Sequence, residues 1–157
     1  MKIIDAHIHF CPGIESFRML AEQAGHRYTE EHLQAEFSRL GIEYAVVMGN
    51  RAPDEDVPVC PGFLHYCVGL DSGWEQLDEQ RLAELVEQHL RRPDCVGIKL
   101  YPGYRHRYVG DRRYAPLYEL AAQYDKPVAI HTGATAGGMG LLKYAHPLTV
   151  DEAAAQF

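Results

Sequence analysis

The sequence predicts an α/β fold built from βαβ units around a parallel sheet. Five short apolar segments, rich in β-branched and aromatic residues, alternate with helix-forming segments along the 157 residues. The segment from Glu43 to Met48 is apolar on both faces, which is typical of a covered parallel strand. Right-handed crossovers would wind such units into an open sheet or toward a barrel. The length predicts a single domain over residues 1–157.

Local signals place each element in chain order. Strands are expected over residues 1–10, 43–48, 63–70, 95–101 and 128–131. Helices are expected over residues 15–25, 30–40, 74–90 and 114–124, with a further one opening near residue 149. Thr29 has the position of an N-cap and Gly41 that of a helix stop. Thr149 and Glu152 have the spacing of a capping box.

The composition of the chain indicates which kinds of partner it can bind. The chain carries 22 acidic and 15 basic residues, a formal charge of −7, which argues against binding to nucleic acid or to an anionic membrane. Its four cysteines match no zinc-ribbon or redox spacing and are expected to be reduced. No stretch has the length of a membrane helix or the form of a signal peptide. We therefore expect a soluble, cytoplasmic protein that acts on a small molecule.

The first strand carries the strongest functional signal. In a regular strand Asp5, His7 and His9 share one face, opposite a face of apolar residues. Two imidazoles at this spacing can converge on one ion, and neutral imidazole is a good ligand for zinc. Core histidines satisfied by hydrogen bonds are the alternative, but three buried polar groups in a row would all need partners. We interpret the strand as half of a metal site.

These residues are similar to a known motif. Asp5-Ala-His7-Ile-His9-Phe10 resembles the opening of the amidohydrolase superfamily, in particular the amidohydrolase-2 branch, which includes aminocarboxymuconate-semialdehyde decarboxylase. The resemblance implies a TIM-type (β/α)₈ barrel with its helices outside. Such a barrel needs about 250 residues, so the chain would form an incomplete barrel of about five β/α units. It would be either part of a longer chain or completed by another molecule, and we expect a homodimer or a larger assembly.

The resemblance also implies the rest of a metal site. Val128-Ala-Ile-His131-Thr-Gly matches the family's fifth-strand histidine ligand, so His7, His9 and His131 would bind a divalent metal with open positions. Zinc is the expected ion, with manganese, iron or cobalt as alternatives. Asp5 would support the histidines without being a ligand. The family's further histidine after strand six and aspartate after strand eight lie on strands that these residues do not include.

The fourth strand and its loop supply candidate substrate contacts. Gly97-Ile-Lys-Leu-Tyr-Pro-Gly103 resembles the family's fourth strand. Lys99 is the candidate catalytic residue: it would bridge two metals when carboxylated, pair with a substrate carboxylate, or simply reach water. Tyr101, Arg105 and Arg107 are the candidate substrate contacts, because arginines at a barrel mouth can clamp a carboxylate or phosphate. Surface arginines that serve solubility are the alternative.

Three functions remain open at this point, and a fourth is disfavoured. The leading hypothesis is a metal-dependent hydrolase that uses a metal-activated water on a small substrate bearing a carboxylate. A decarboxylase of the same branch would use a similar site. A phosphoesterase of the TatD or PHP kind opens with a similar motif, but it tends to have an acidic ligand where this chain has Lys99. A non-catalytic module that binds metal or assembles with a partner is the alternative outside enzymes.

Overall fold

The structure is a computed structural model that describes residues 2–56 and 59–157. The strands are β1 (Ile3–Ile8), β2 (Ile42–Met48), β3 (Leu64–Leu70), β4 (Cys95–Leu100) and β5 (Val128–Ile130). The helices are α1 (Glu15–Gln23), α2 (Glu30–Leu40), α3 (Glu79–Leu90), α4 (Pro102–Arg105), α5 (Ala115–Gln123) and α6 (Leu148–Ala154). The expected alternation of strands and helices is confirmed.

The five strands form one parallel sheet in the order β1-β2-β3-β4-β5. Every neighbouring pair is parallel, with registers such as Val46 opposite His65 and Gly69 opposite Lys99. The sheet curls into half a barrel with the helices on its outer side. This arrangement confirms the incomplete TIM-type barrel.

The hydrophobic core lies between the outer face of the sheet and the helices. Alternate residues of the central strands supply the sheet side of this core, and helices α3 and α5 cover them. The fully or almost fully buried members include Leu64, Val68, Leu70, Ile98, Leu100, Leu82, Val86, Leu90, Leu117 and Ala121. Burial of these side chains holds the strands in place, so the ends of the strands are fixed relative to one another.

Several helix boundaries follow capping groups. Thr29 accepts a hydrogen bond from the backbone N–H of His32, and Gly41 adopts a left-handed conformation, as predicted for α2. The helix expected from Trp74 begins instead at Glu79, because Asp78 caps it and Trp74–Gln76 forms a separate 3₁₀ turn.

The predicted capping box at Thr149 was wrong. Helix α6 begins at Leu148 after Pro147, and the hydroxyl of Thr149 donates to the carbonyl oxygen of His146. The short helix α4 was not predicted.

Over residues 2–56 and 59–157, no helix combines the length and the apolar character needed to cross a membrane.

Candidate metal centre

The residues that follow the five strands meet at one edge of the sheet. His9 follows β1, Asn50 follows β2 after one glycine, Asp71 follows β3, Tyr101 follows β4 and His131 follows β5. The carboxyl ends of parallel strands in a barrel are where catalytic groups collect. This edge is therefore the part of the molecule where a site is expected.

Strand β1 is irregular where its histidines begin. From Asp5 to Ile8 it advances three residues while β2 advances two, from Ala45 to Val47. An extra residue of this kind is a β-bulge, which bends a strand and re-aims its side chains. The carboxylate of Asp5 accepts a hydrogen bond from the backbone N–H of His7 at 3.0 Å. Asp5 therefore supports the bulge through the backbone of His7.

The two histidines of this strand face each other. Nε2 of His7 lies 3.3 Å from Nε2 of His9. Two nitrogens bound to one tetrahedral zinc at about 2.0–2.1 Å would lie about 3.3 Å apart. Without an ion, the same distance corresponds to a long hydrogen bond between the rings. The pair fits two positions of a zinc site.

Nδ1 of His9 has a strong partner of its own. It lies 2.6 Å from Oδ1 of Asn50. An amide oxygen only accepts, so Nδ1 carries the proton and Nε2 of the neutral ring keeps its lone pair. This is the tautomer that a metal ligand needs, and metal-bound histidines in general are oriented by such a partner.

Lys99 lies close to His7 and has little contact with solvent. Partial burial, and then the positive charge of Lys99, lower the pKa of His7, which favours the neutral ring. Lys99 itself is only 2% exposed, and burial lowers its pKa. Its ammonium group lies 5.3 Å from the ring centre of Tyr101. Lys99 does not reach water as a lysine at a strand end would, so that interpretation was wrong.

His131 is near the pair but turned away from it. Its Nε2 lies 3.2 Å from the carbonyl oxygen of Ala134, to which it donates. Its ring stacks on Tyr101 with centroids 6.3 Å apart and contacts Tyr104 edge-on at 5.4 Å. In the described part of the chain, no three His, Cys, Asp or Glu side chains are arranged to hold a metal ion. The histidine pair fits a metal, and the role of His131 as third ligand stays a prediction.

Tyr101 is a buried aromatic side chain next to the candidate metal centre. It is 3% exposed, and its hydroxyl donates to the carbonyl oxygen of Gly49 at 2.8 Å. Burial raises the pKa of Tyr101, so the phenol stays protonated. The ring lies between Lys99 and His131, where it contributes an apolar surface. Its role as a substrate contact stays a prediction.

The two candidate arginines, Arg105 and Arg107, both form ion pairs with acidic side chains. Arg105 pairs with Glu75 at 3.3 Å, and Arg107 pairs with Asp111 at 2.9 Å while its guanidinium lies 5.4 Å from the ring centre of Trp74. Each keeps a buried Nε with no hydrogen-bond partner among the described residues. They are half-buried and shape the loop, so they are not simply surface charges. Their contact with substrate stays a prediction.

Sequence reasoning missed Asn50 and Asp71. Burial raises the pKa of Asp71, while Arg105 and a hydrogen bond from the side chain of Asn50 oppose that rise. No strand or helix is expected over residues 49–62, which contain prolines and acids typical of an irregular loop, so the sequence does not single out Asn50 there. A signal was available, because Asp71 directly follows a predicted strand and Asn50 follows one after a single glycine.

Cavities among the described residues reach the candidate metal centre only in part. A cavity of ≈190 Å³ is bounded mainly by apolar residues of β2, β3 and the loops beside them, including Cys11, Cys60, Leu64 and Val68. His7, Lys99 and His131 do not line it. A second cavity, of ≈370 Å³, has Asp5 and His9 in its lining.

Comparison with known proteins agrees with this geometry. The amidohydrolase family model matches residues 4–157, so the chain belongs to the amidohydrolase family. An uncharacterized TIM-barrel protein from Bordetella bronchiseptica has a similar structure, with a TM-score of 0.69 and 20% sequence identity. The similarity covers 100% of this chain and 64% of that chain, and at this identity it shows the fold. No curated protein matches the chain.

Proposed function

We propose that the chain carries the metal-binding half of a hydrolase site that acts on a small substrate bearing a carboxylate. The observation that carries this proposal is the facing pair of Nε2 atoms, 3.3 Å apart, with the proton of His9 held on the opposite side of its ring. Membership of the amidohydrolase family supports the same chemistry. Zinc is the proposed ion, and manganese, iron and cobalt suit similar ligands.

Each residue of the site has a distinct part in this proposal. When bound, a divalent metal supplies a Lewis acid that activates water and polarises a substrate carbonyl. His7 and His9 hold the ion through Nε2, and His131 would join them by turning from Ala134. Neutral rings are required for this, and the lowered pKa of His7 keeps that ring neutral.

Lys99 is the proposed partner of the substrate carboxylate. A buried ammonium group is costly unless it is paired. No carboxylate forms an ion pair with Lys99 in the part of the chain that the structure describes. A substrate carboxylate would provide the missing charge, and the ring of Tyr101 would lie beside it.

The test combines turnover with binding. Metal-loaded protein is assayed on small amides and esters that bear a carboxylate, and on carboxylates that could lose carbon dioxide, while binding of the same carboxylates is measured by calorimetry. The variants are His9→Ala and Lys99→Met. The double variant His26→Ala/His32→Ala is the matched control, because it removes a second pair of neighbouring histidines, 3.1 Å apart, that includes neither His7 nor His9.

The outcomes separate the three functions. Hydrolysis that needs the metal and His9 supports the proposal, whereas release of carbon dioxide supports the decarboxylase alternative. Binding of metal and carboxylate without turnover supports the non-catalytic module. Activity that is unchanged in His9→Ala, or lost equally in the control, contradicts a site at His9.

A further inference from the structure

A short contact that the proposed function leaves unexplained lies behind His9. Asn50 is not among the residues that the sequence singled out. Yet its Oδ1 makes a 2.6 Å contact with Nδ1 of His9, one of the shorter side-chain contacts in the site. A contact of this length lies at the short end of protein hydrogen bonds, so the imidazole is tightly held on that side.

Asp71 determines which way the Asn50 amide points. An amide can be rotated by half a turn, which would place its NH₂ group against His9 instead of its oxygen. The side chain of Asn50 also interacts with the carboxylate of Asp71 and with the phenol of Tyr101, and it lowers the pKa of both groups. An ionised carboxylate only accepts hydrogen bonds, so it binds the NH₂ end of the amide and leaves the oxygen for His9. The three side chains therefore form a directional chain of donors and acceptors.

The backbone is built to bring these groups together. Gly49 precedes Asn50, and Gly69 lies two residues before Asp71. A Cβ atom on Gly69 would lie 2.1 Å from the carbonyl oxygen of Gly49, and one on Gly49 would lie 2.5 Å from the nitrogen of Gly69. Only two glycines allow so close an approach of β2 and β3 at this edge.

We propose that Asn50 and Asp71 are positioning residues that hold His9 in the Nδ1–H tautomer and so keep its Nε2 available to a divalent metal. This inference rests on the proposed function, since it assigns a purpose to the tautomer. Asp71 orients Asn50, Asn50 fixes the proton of His9, and the opposite nitrogen faces His7. Neither residue touches the metal or the substrate.

The test reads the tautomer directly in the metal-free chain. Long-range ¹H–¹⁵N correlation spectra of the imidazoles distinguish the two neutral forms, at a pH well above the ordinary histidine value of about 6.5. Zinc affinity is measured separately by competition with a chromophoric chelator. The variants are Asn50→Leu and Asp71→Leu. Asp54→Leu is the control, because it removes an exposed carboxylate from the loop that contains Asn50.

The expected result is a single Nδ1–H form of His9 in the wild type and in the control. Asn50→Leu shifts His9 toward the Nε2–H form and weakens zinc binding by about 10–100-fold. Asp71→Leu causes a smaller shift in the same direction, because the amide then keeps only Tyr101 to orient its NH₂ group. If Asn50→Leu does not fold, Asp71→Leu provides the test.

Two results would overturn the inference. One is an Nε2–H form of His9 in the wild type, and the other is weaker zinc binding in the variants without any change of tautomer, which would mean a merely structural role. A wild-type chain that binds no zinc contradicts the proposed function instead. The tautomer measurement still decides the positioning role in that case, because it is made without metal.

Discussion

Replacement of Gly69 by alanine should destabilise the sheet and disturb the site together. The added Cβ would lie 2.1 Å from the carbonyl oxygen, 2.5 Å from the carbonyl carbon and 3.0 Å from the Cα of Gly49. All three are backbone atoms, so no side chain can rotate away to relieve the contact. Strands β2 and β3 must separate at the edge that carries Asn50 and Asp71.

The expected cost of Gly69→Ala is about 3 kcal/mol, the upper part of the range for overpacked sites. With a urea m value of about 2 kcal/mol/M, the unfolding midpoint should fall by about 1.5 M. Gly62→Ala is the matched control, because a Cβ there meets nothing within 4 Å. We expect that variant to lie within about 0.5 kcal/mol of the wild type.

Equilibrium urea unfolding followed by circular dichroism measures both variants. Nuclear magnetic resonance of His9 in the folded Gly69→Ala protein then shows whether the strain reaches the site. Equal midpoints for Gly69→Ala and Gly62→Ala would refute the reasoning, because they would mean that the two strands do not approach as closely as the structure shows.

Two further predictions concern stability away from the site. Burial lowers the pKa of His89 below its ordinary 6.5, so the folded state keeps the ring neutral and the unfolded state binds the extra proton. The contribution of His89 to the free energy of unfolding should therefore be greatest above about pH 6.5 and should decrease as the pH falls below that value. The decrease should be steeper in the wild type than in His89→Asn. Urea unfolding at several pH values would measure it. Thr29→Ala should cost about 1 kcal/mol, because Thr29 caps α2. Thr149→Ala should cost clearly less, since Thr149 caps no helix, and thermal unfolding would compare the two.

Much of the fold could be predicted because it depends on local signals. Apolar runs identified the strands, and the cap at Thr29 with the stop at Gly41 identified α2. Parallel pairing followed from the alternation of strand and helix. The boundaries that failed, at Trp74 and Thr149, depended on which of several neighbouring polar residues captured the free backbone groups of a helix end.

Less of the site could be predicted, because it depends on contacts between distant strands. The histidines at positions 7 and 9 were found from spacing alone. The bulge at Asp5 was not, since it arises from pairing with β2, and Asn50 lies 41 residues from the imidazole that it holds.

The role of His89 in the core also depends on contacts that the sequence alone does not reveal. The hydroxyl of Tyr66 lies 2.8 Å from its Nδ1, and its Nε2 donates to the carbonyl oxygen of Pro53 at 3.0 Å. Its position near the end of α3 suggests a charged group that favours the helix dipole, but burial keeps the ring neutral. Only tertiary packing distinguishes these two roles.

The most direct test of the central claim is the metal content of the purified chain. Protein prepared without a metal-binding tag is analysed for zinc, manganese, iron and cobalt, beside His7→Ala/His9→Ala and the control His26→Ala/His32→Ala. The account predicts about one ion per chain in the wild type and the control, consistent with one ion shared by two imidazoles, and none in the His7→Ala/His9→Ala variant. Metal retained in that variant, or lost in the control, would contradict a metal centre at His7 and His9.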